Sequence, residues 1–136
     1  MWNLLHNTTS QAWEKIIRIL IADDEPSVRS ALRLLLQDEP GISIVSEVGE
    51  AESLVAQLNR YSPDVILLDW ELPTMRPDKL LPALRMHHPS LKVIALSGRP
   101  EALRQSFAAG ADAFVSKGSA PDELLLMLRK LRYSTP

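Results

Sequence analysis

The sequence contains no cysteine, which excludes disulfide frameworks, zinc–cysteine sites and thiol nucleophiles and fits a reducing compartment. It also lacks any apolar run approaching the roughly 20 residues of a membrane span. The opening Met1-Trp2-Asn3-Leu4-Leu5-His6 has neither the basic nor the long apolar region of a signal peptide, so the expected location is cytoplasmic. There is no basic excess either: 15 Lys and Arg stand against 17 Asp and Glu, and no global field draws the chain onto nucleic acid or anionic lipid. Internal repeats and low-complexity tracts are absent. What is there is ordinary globular composition, 46% hydrophobic and 24% charged over 136 residues, enough for one domain with its own core.

Two kinds of segment alternate after about residue 15. Short, β-branched apolar runs at 16–22, 65–68, 91–96 and 113–115 suit strands buried on both faces. Residues 42–48 alternate more, as an edge strand does. Between these runs lie apolar stripes of helical spacing: Val28, Ala31, Leu32 and Leu35; Leu54, Leu58 and Tyr61; Leu80, Leu81 and Leu84; Leu103 and Phe107; Leu124, Met127, Leu128 and Leu131. Pro26 and Pro121 stand where helices begin, and Gly110 follows a stripe as a C-cap does. Residues 73–89 read as a Pro-rich loop leading into a helix. Five alternations predict a doubly wound α/β sandwich with a five-stranded parallel sheet, preceded by an N-terminal extension over 1–15. There Trp2, Leu4, Leu5 and Trp13 fit either a short helix packed on the domain or a tail ordered by a partner.

Polar residues follow the buried runs: Asp23-Asp24-Glu25, then Asp69, Ser97 and Lys117. In an open parallel sheet these positions share the carboxyl edge, where ligands bind. Neighbouring first and third strands would bring Asp23, Asp24 and Asp69 together. Clustered carboxylates repel, and a hard divalent cation such as magnesium resolves the conflict with oxygen ligands. Lys117 adds a second positive charge and Ser97 a hydroxyl, a set suited to accepting a phosphoryl group on a carboxylate. Each feature alone has a plainer reading: a helix cap for Asp23-Asp24, a turn for Ser97-Gly98, a solvated cation for Lys117. Their recurrence at the ends of successive core strands favours the joint one.

The stretches Ile-Leu-Ile-Ala-Asp-Asp-Glu-Pro (19–26), Pro-Asp-Val-Ile-Leu-Leu-Asp-Trp-Glu-Leu-Pro (63–73), Val-Ile-Ala-Leu-Ser-Gly (93–98) and Gly-Ala-Asp-Ala-Phe-Val-Ser-Lys-Gly (110–118) resemble the bacterial two-component response-regulator receiver domain. The likeness covers about residues 16–132, leaving 133–136 as a tail, and Lys117-Gly118-Ser119 resembles the NarL/LuxR-type subset. The resemblance implies a flavodoxin-like (βα)5 fold with strand order 2-1-3-4-5. It further implies a regulatory phosphoacceptor domain rather than an enzyme. Asp69 would take a phosphoryl group from a sensor histidine kinase or a histidine phosphotransfer protein. Magnesium, with manganese as a substitute, would be held by Asp24, Asp69 and the backbone carbonyl of Glu71, and by Asp23 through water. Lys117 would pair with Asp69 and then with the phosphoryl oxygens, Ser97 would swing in to donate to them, and Phe114 would turn inward. The output surface would be the fourth helix, fifth strand and fifth helix.

Departures from the family pattern lie in the loop Pro73-Thr74-Met75-Arg76-Pro77-Asp78 and at Gly118. Pro77 disfavours helical geometry at Arg76 and would delay or displace the third helix. Gly118 stands where many receivers have proline, and a cis bond there would cost about 2.5–4 kcal/mol. Two rivals stand beside the main reading. One is a phosphorylation-independent interaction module, for which the altered loop speaks. The other is an aspartyl phosphatase, which would need a second acid/base carboxylate near the nucleophile. Expected partners are the kinase and an output protein or a further C-terminal output domain, with a homodimer as an additional expectation. Membrane and direct nucleic-acid binding are not expected of this chain.

Overall fold

A computed structural model describes residues 15–133. Residues 1–14 and 134–136, and with them the expected N-terminal helix or tail and the C-terminal tail, lie outside the described residues. The chain alternates β1 (Ile17–Ala22), α1 (Pro26–Leu36), β2 (Ile42–Val48), α2 (Leu54–Tyr61), β3 (Val65–Asp69), α3 (Pro77–His87), β4 (Lys92–Ser97), α4 (Ala102–Ala109), β5 (Ala113–Ser116) and α5 (Pro121–Tyr133). The strands form one five-stranded sheet in the order β2-β1-β3-β4-β5, with every pairing parallel. This is the predicted flavodoxin-like order.

Strand periodicity divides the core into two layers. Leu20, Ala22, Ile66, Leu68, Val93 and Ala95 point to the face covered by α2, α3 and α4. Their neighbours Ile19, Ile21, Val65, Leu67, Ile94 and Leu96 point to the face covered by α1 and α5. Both faces are dry, so the central strands need no polar alternation. Each fully covered Ile or Leu contributes about 1.5–3 kcal/mol of burial. β2 reaches the same end by another device. Its register against β1 slips between Ile19 and Leu20, which pair with Ile44 and Ser46. The extra residue, Val45, reverses which face even-numbered positions take. Ile42 and Ile44 therefore pack with α1 and α5, while Val48 packs on the opposite side.

The helix punctuation acts as the sequence indicates. Pro26 opens α1 after an extended Glu25, and Gly110 ends α4 at φ 109°, a left-handed geometry that glycine adopts without strain. Pro77 is the first residue of α3, with Arg76 held non-helical at φ −116°, ψ 88°, as a residue before proline is expected to be. The loop between β3 and α3 is 70–76, and most of the expected loop at 73–89 is helix, with Pro82 inside. One stripe is corrected. Leu103 and Phe107 are 47% and 49% exposed, and α4 instead buries Ala102 and Ser106. Small residues let α4 sit close on the sheet, and its larger apolar side chains face outward.

Candidate functional site

Four strands end in the same local device. Glu25 N–H donates to Asp23 Oδ1 at 2.9 Å, Glu71 N–H to Asp69 Oδ1 at 2.9 Å, Arg99 N–H to Ser97 Oγ at 3.0 Å and Gly118 N–H to Ser116 Oγ at 3.2 Å. Each is a turn closed by a short polar side chain two residues before the donor. The turn stops the strand, sends the chain over the sheet edge and fixes the side chain that closes it. This is how the sequence sets Asp23, Asp69 and Ser97 along one edge with exposures of 0%, 2% and 0%.

Lys117, one residue beyond β5, reaches back into this row. Its Nζ lies 2.9 Å from Asp23 Oδ2 and 3.2 Å from Asp69 Oδ1. Asp24, at the surface, completes a group with Asp23 and Asp69 whose ligand oxygens all lie within 4.8 Å of one another. Burial pushes the Asp69 carboxyl up to about 6, and the Asp23 charge adds to the rise, against the Glu71 N–H and the Lys117 ammonium. Burial also opposes the charge on Lys117, but Asp23 and Asp69 outweigh it and hold the ammonium above its ordinary value. The pocket therefore holds more negative charge than one lysine balances.

The donor set fits a hard divalent cation. Asp23 Oδ2 is wholly buried, with the Lys117 ammonium 2.9 Å away. Two buried carboxylates sharing a single ammonium are incompletely compensated, and carboxylate oxygens are the ligands magnesium takes. The Glu71 N–H and the Lys117 ammonium both meet Asp69 at Oδ1. On the far side of Asp69, Ser97 Oγ lies 2.9 Å from both carboxylate oxygens of Glu71, and Arg99 Nη2 stands 3.2 Å from Glu71 Oε2.

The structure thus brings Asp23, Asp24, Asp69 and Lys117 into one pocket and sets Ser97 and Glu71 in contact beside it. Phe114 lies apart, half-buried in β5 and packed on the α2–α3–α4 core layer. Trp70, next to Asp69, is 8% exposed in that same layer. The peptide bonds of the described residues are all trans, that before Gly118 included. One contributor escaped the sequence reading. Arg29, in the first turns of α1, donates to the backbone carbonyl of Asp23 and pairs with Glu47 at 3.6 Å. Its position one helical turn past Pro26 was the available signal.

Residues 19–129 match the family model of the response regulator receiver domain, and the chain belongs to that family. It is 36% identical over 115 residues to the nitrate/nitrite response regulator protein NarP of Escherichia coli (strain K12), covering 82% of this chain and 53% of that protein. A LuxR-family two-component response regulator from Aurantimonas has TM-score 0.78 at 25% identity, covering 87% of this chain and 86% of that one. The isolated receiver domain of RcsB from Salmonella enterica, solved with the phosphomimetic BeF3−, has TM-score 0.75 at 25% identity over 90% of this chain and 94% of that one. These likenesses make it a NarL/LuxR-type receiver, a regulatory domain of two-component systems. The chain spans 53% of NarP and 29% of a protein-glutamate methylesterase that it also matches. No helix among the described residues is long and apolar enough to cross a membrane.

Proposed function

We propose that this domain accepts a phosphoryl group on Asp69 from a phosphohistidine of a partner kinase or phosphotransfer protein. The observation that carries the reading is the buried Asp69 carboxylate, crowded by Asp23 and Asp24 and braced by Lys117. The Asp69 carboxylate attacks phosphorus, the phosphorus–nitrogen bond breaks, and its electron pair leaves with the imidazole. The product is an acyl phosphate.

Asp24, Asp69 and the Glu71 carbonyl are the residues that would hold magnesium, with Asp23 acting through water. When bound, the cation neutralises charge on the transferring phosphoryl oxygens. Lys117 follows the charge from Asp69 to the phosphoryl group, and Ser97 swings in to donate a hydrogen bond to it. Phe114 turns inward as Ser97 moves, and α4, β5 and α5 report the change. The added charge biases a two-state surface. Output passes through a protein partner or a further domain, in the cytoplasm. Phosphorylation-promoted dimerisation is testable by sedimentation with and without beryllofluoride.

The test is intact mass after incubation with a small-molecule phosphodonor. One phosphoryl adduct that requires magnesium and is lost in Asp69→Asn supports the reading. No adduct, together with no magnesium or beryllofluoride binding by the folded protein, overturns it in favour of an interaction module.

A further inference from the structure

Ser97 is wholly buried at the end of β4, and its hydroxyl is already committed. Oγ accepts the Arg99 N–H at 3.0 Å and lies 2.9 Å from Oε1 and 2.9 Å from Oε2 of Glu71. A serine hydroxyl has a single proton, and a carboxylate can only accept, so that proton points at Glu71. Glu71 is itself gripped: Arg99 Nε donates to Oε2 at 3.2 Å and Nη2 stands 3.2 Å from the same oxygen. Arg99 thus touches Ser97 with its backbone and Glu71 with its side chain.

We propose that Glu71, braced by Arg99, is a positioning residue that latches Ser97 in its resting orientation, so that Glu71 and a phosphoryl group on Asp69 compete for one hydroxyl proton. The proposal rests on the reading of Asp69 as acceptor, and adds to it what opposes the switch. Both competitors are anions and both bonds are charge-assisted. The bond to Glu71 exists only in the resting state, so it weights the equilibrium toward rest by its own strength. Removing Glu71 costs the resting state that bond. The side chains of Glu71 and Arg99 are 37% and 48% exposed, and water therefore takes part of the effect. The expected shift is about three- to tenfold.

Loss of the Glu71 charge would also ease the approach of any anion, with or without Ser97. The two causes separate in a double-mutant cycle. The full chain, Glu71→Ala, Ser97→Ala and the double variant are titrated with beryllofluoride at saturating magnesium, and bound fluoride is read by fluorine NMR. Lys117 remains in all four, so binding stays measurable. The latch predicts about three- to tenfold tighter binding for Glu71→Ala with Ser97 present, and less than about twofold when Ser97 is already alanine. Equal gains in both backgrounds, or no gain in the first, overturn the latch while leaving the acceptor site standing. No bound signal in any of the four, the unaltered chain included, overturns the acceptor reading and the latch with it.

Discussion

The two edges of the sheet carry the same residue type and treat it in opposite ways. At the amino edge, Asp64 precedes β3 and Asp112 precedes β5. Asp64 N–H donates to the Arg18 carbonyl at 2.8 Å, and Arg18 N–H donates back to Asp64 Oδ2 at 2.8 Å. Asp112 repeats this with Val93, at 2.9 Å and 2.7 Å. Each carboxylate stands in for the next carbonyl of a parallel ladder and extends the pairing by one step. Arg85 then neutralises Asp112 at 2.7 Å. At the carboxyl edge, Asp23 and Asp69 instead share one lysine, at 2.9 Å and 3.2 Å. One edge is satisfied and structural; the other gathers three carboxylates around one lysine, an excess of negative charge that a divalent cation can meet. Placement and partners, not identity, set how an aspartate's charge is met.

The sharpest break of this contrast is Lys117→Ala. It should slow Asp69 phosphorylation by about 100-fold or more by removing the cation that stabilises the transferring charge, as read by intact mass against time. Asp112→Ala should do the reverse, costing about 1–2 kcal/mol of stability in denaturant unfolding while leaving the phosphorylation rate within about twofold of the unaltered chain. Asp69→Asn addresses the excess charge itself. The Asp69 carboxyl holds its proton up to about 6 in the fold against 3.8 ordinarily, so its ionisation at higher pH opposes folding. That contribution to stability is present below about pH 4 and lost as pH rises through 6. Asparagine does not titrate, so in metal-free buffer Asp69→Asn should melt about 3–8 °C higher at pH 7.5, with the difference gone near pH 4. The smallest effect is expected away from both edges. Phe107→Ser on the outward face of α4 should change stability by no more than about 0.5 kcal/mol, and a larger loss would put the α4 stripe back into the core.

Most of the fold was legible because the buried strands write themselves as continuous apolar runs and the helix starts are marked by Pro26 and Pro121. Strand order came only through the family resemblance carried by the stretches at 19–26, 63–73, 93–98 and 110–118. What was hidden depends on tertiary placement. The stripe at Leu103 and Phe107 has helical spacing, yet spacing does not say which face meets the sheet, and the small face won. Val45 could not be recognised as a bulge, because an extra residue in an edge strand leaves no mark in its own sequence. Asp64 and Asp112 look like Asp23 and Asp69 until their backbone partners are known. The loop after β3 hid Thr74, which takes φ 63°, a left-handed geometry rare for a β-branched residue. Its hydroxyl donates to Glu52 Oε1 at 2.8 Å, tying that turn to the chain segment before α2.

The most direct test of the central claim asks which carboxylate takes the phosphoryl group. The full chain is incubated with a small-molecule phosphodonor and magnesium, trapped with borohydride, which reduces an acyl phosphate to the alcohol, and mapped by peptide mass. The account predicts a single magnesium-dependent homoserine at position 69, with Asp23, Asp24, Asp64 and Asp112 unchanged. Reduction at Asp64 or Asp112, or reduction spread evenly over the acidic residues, would contradict it.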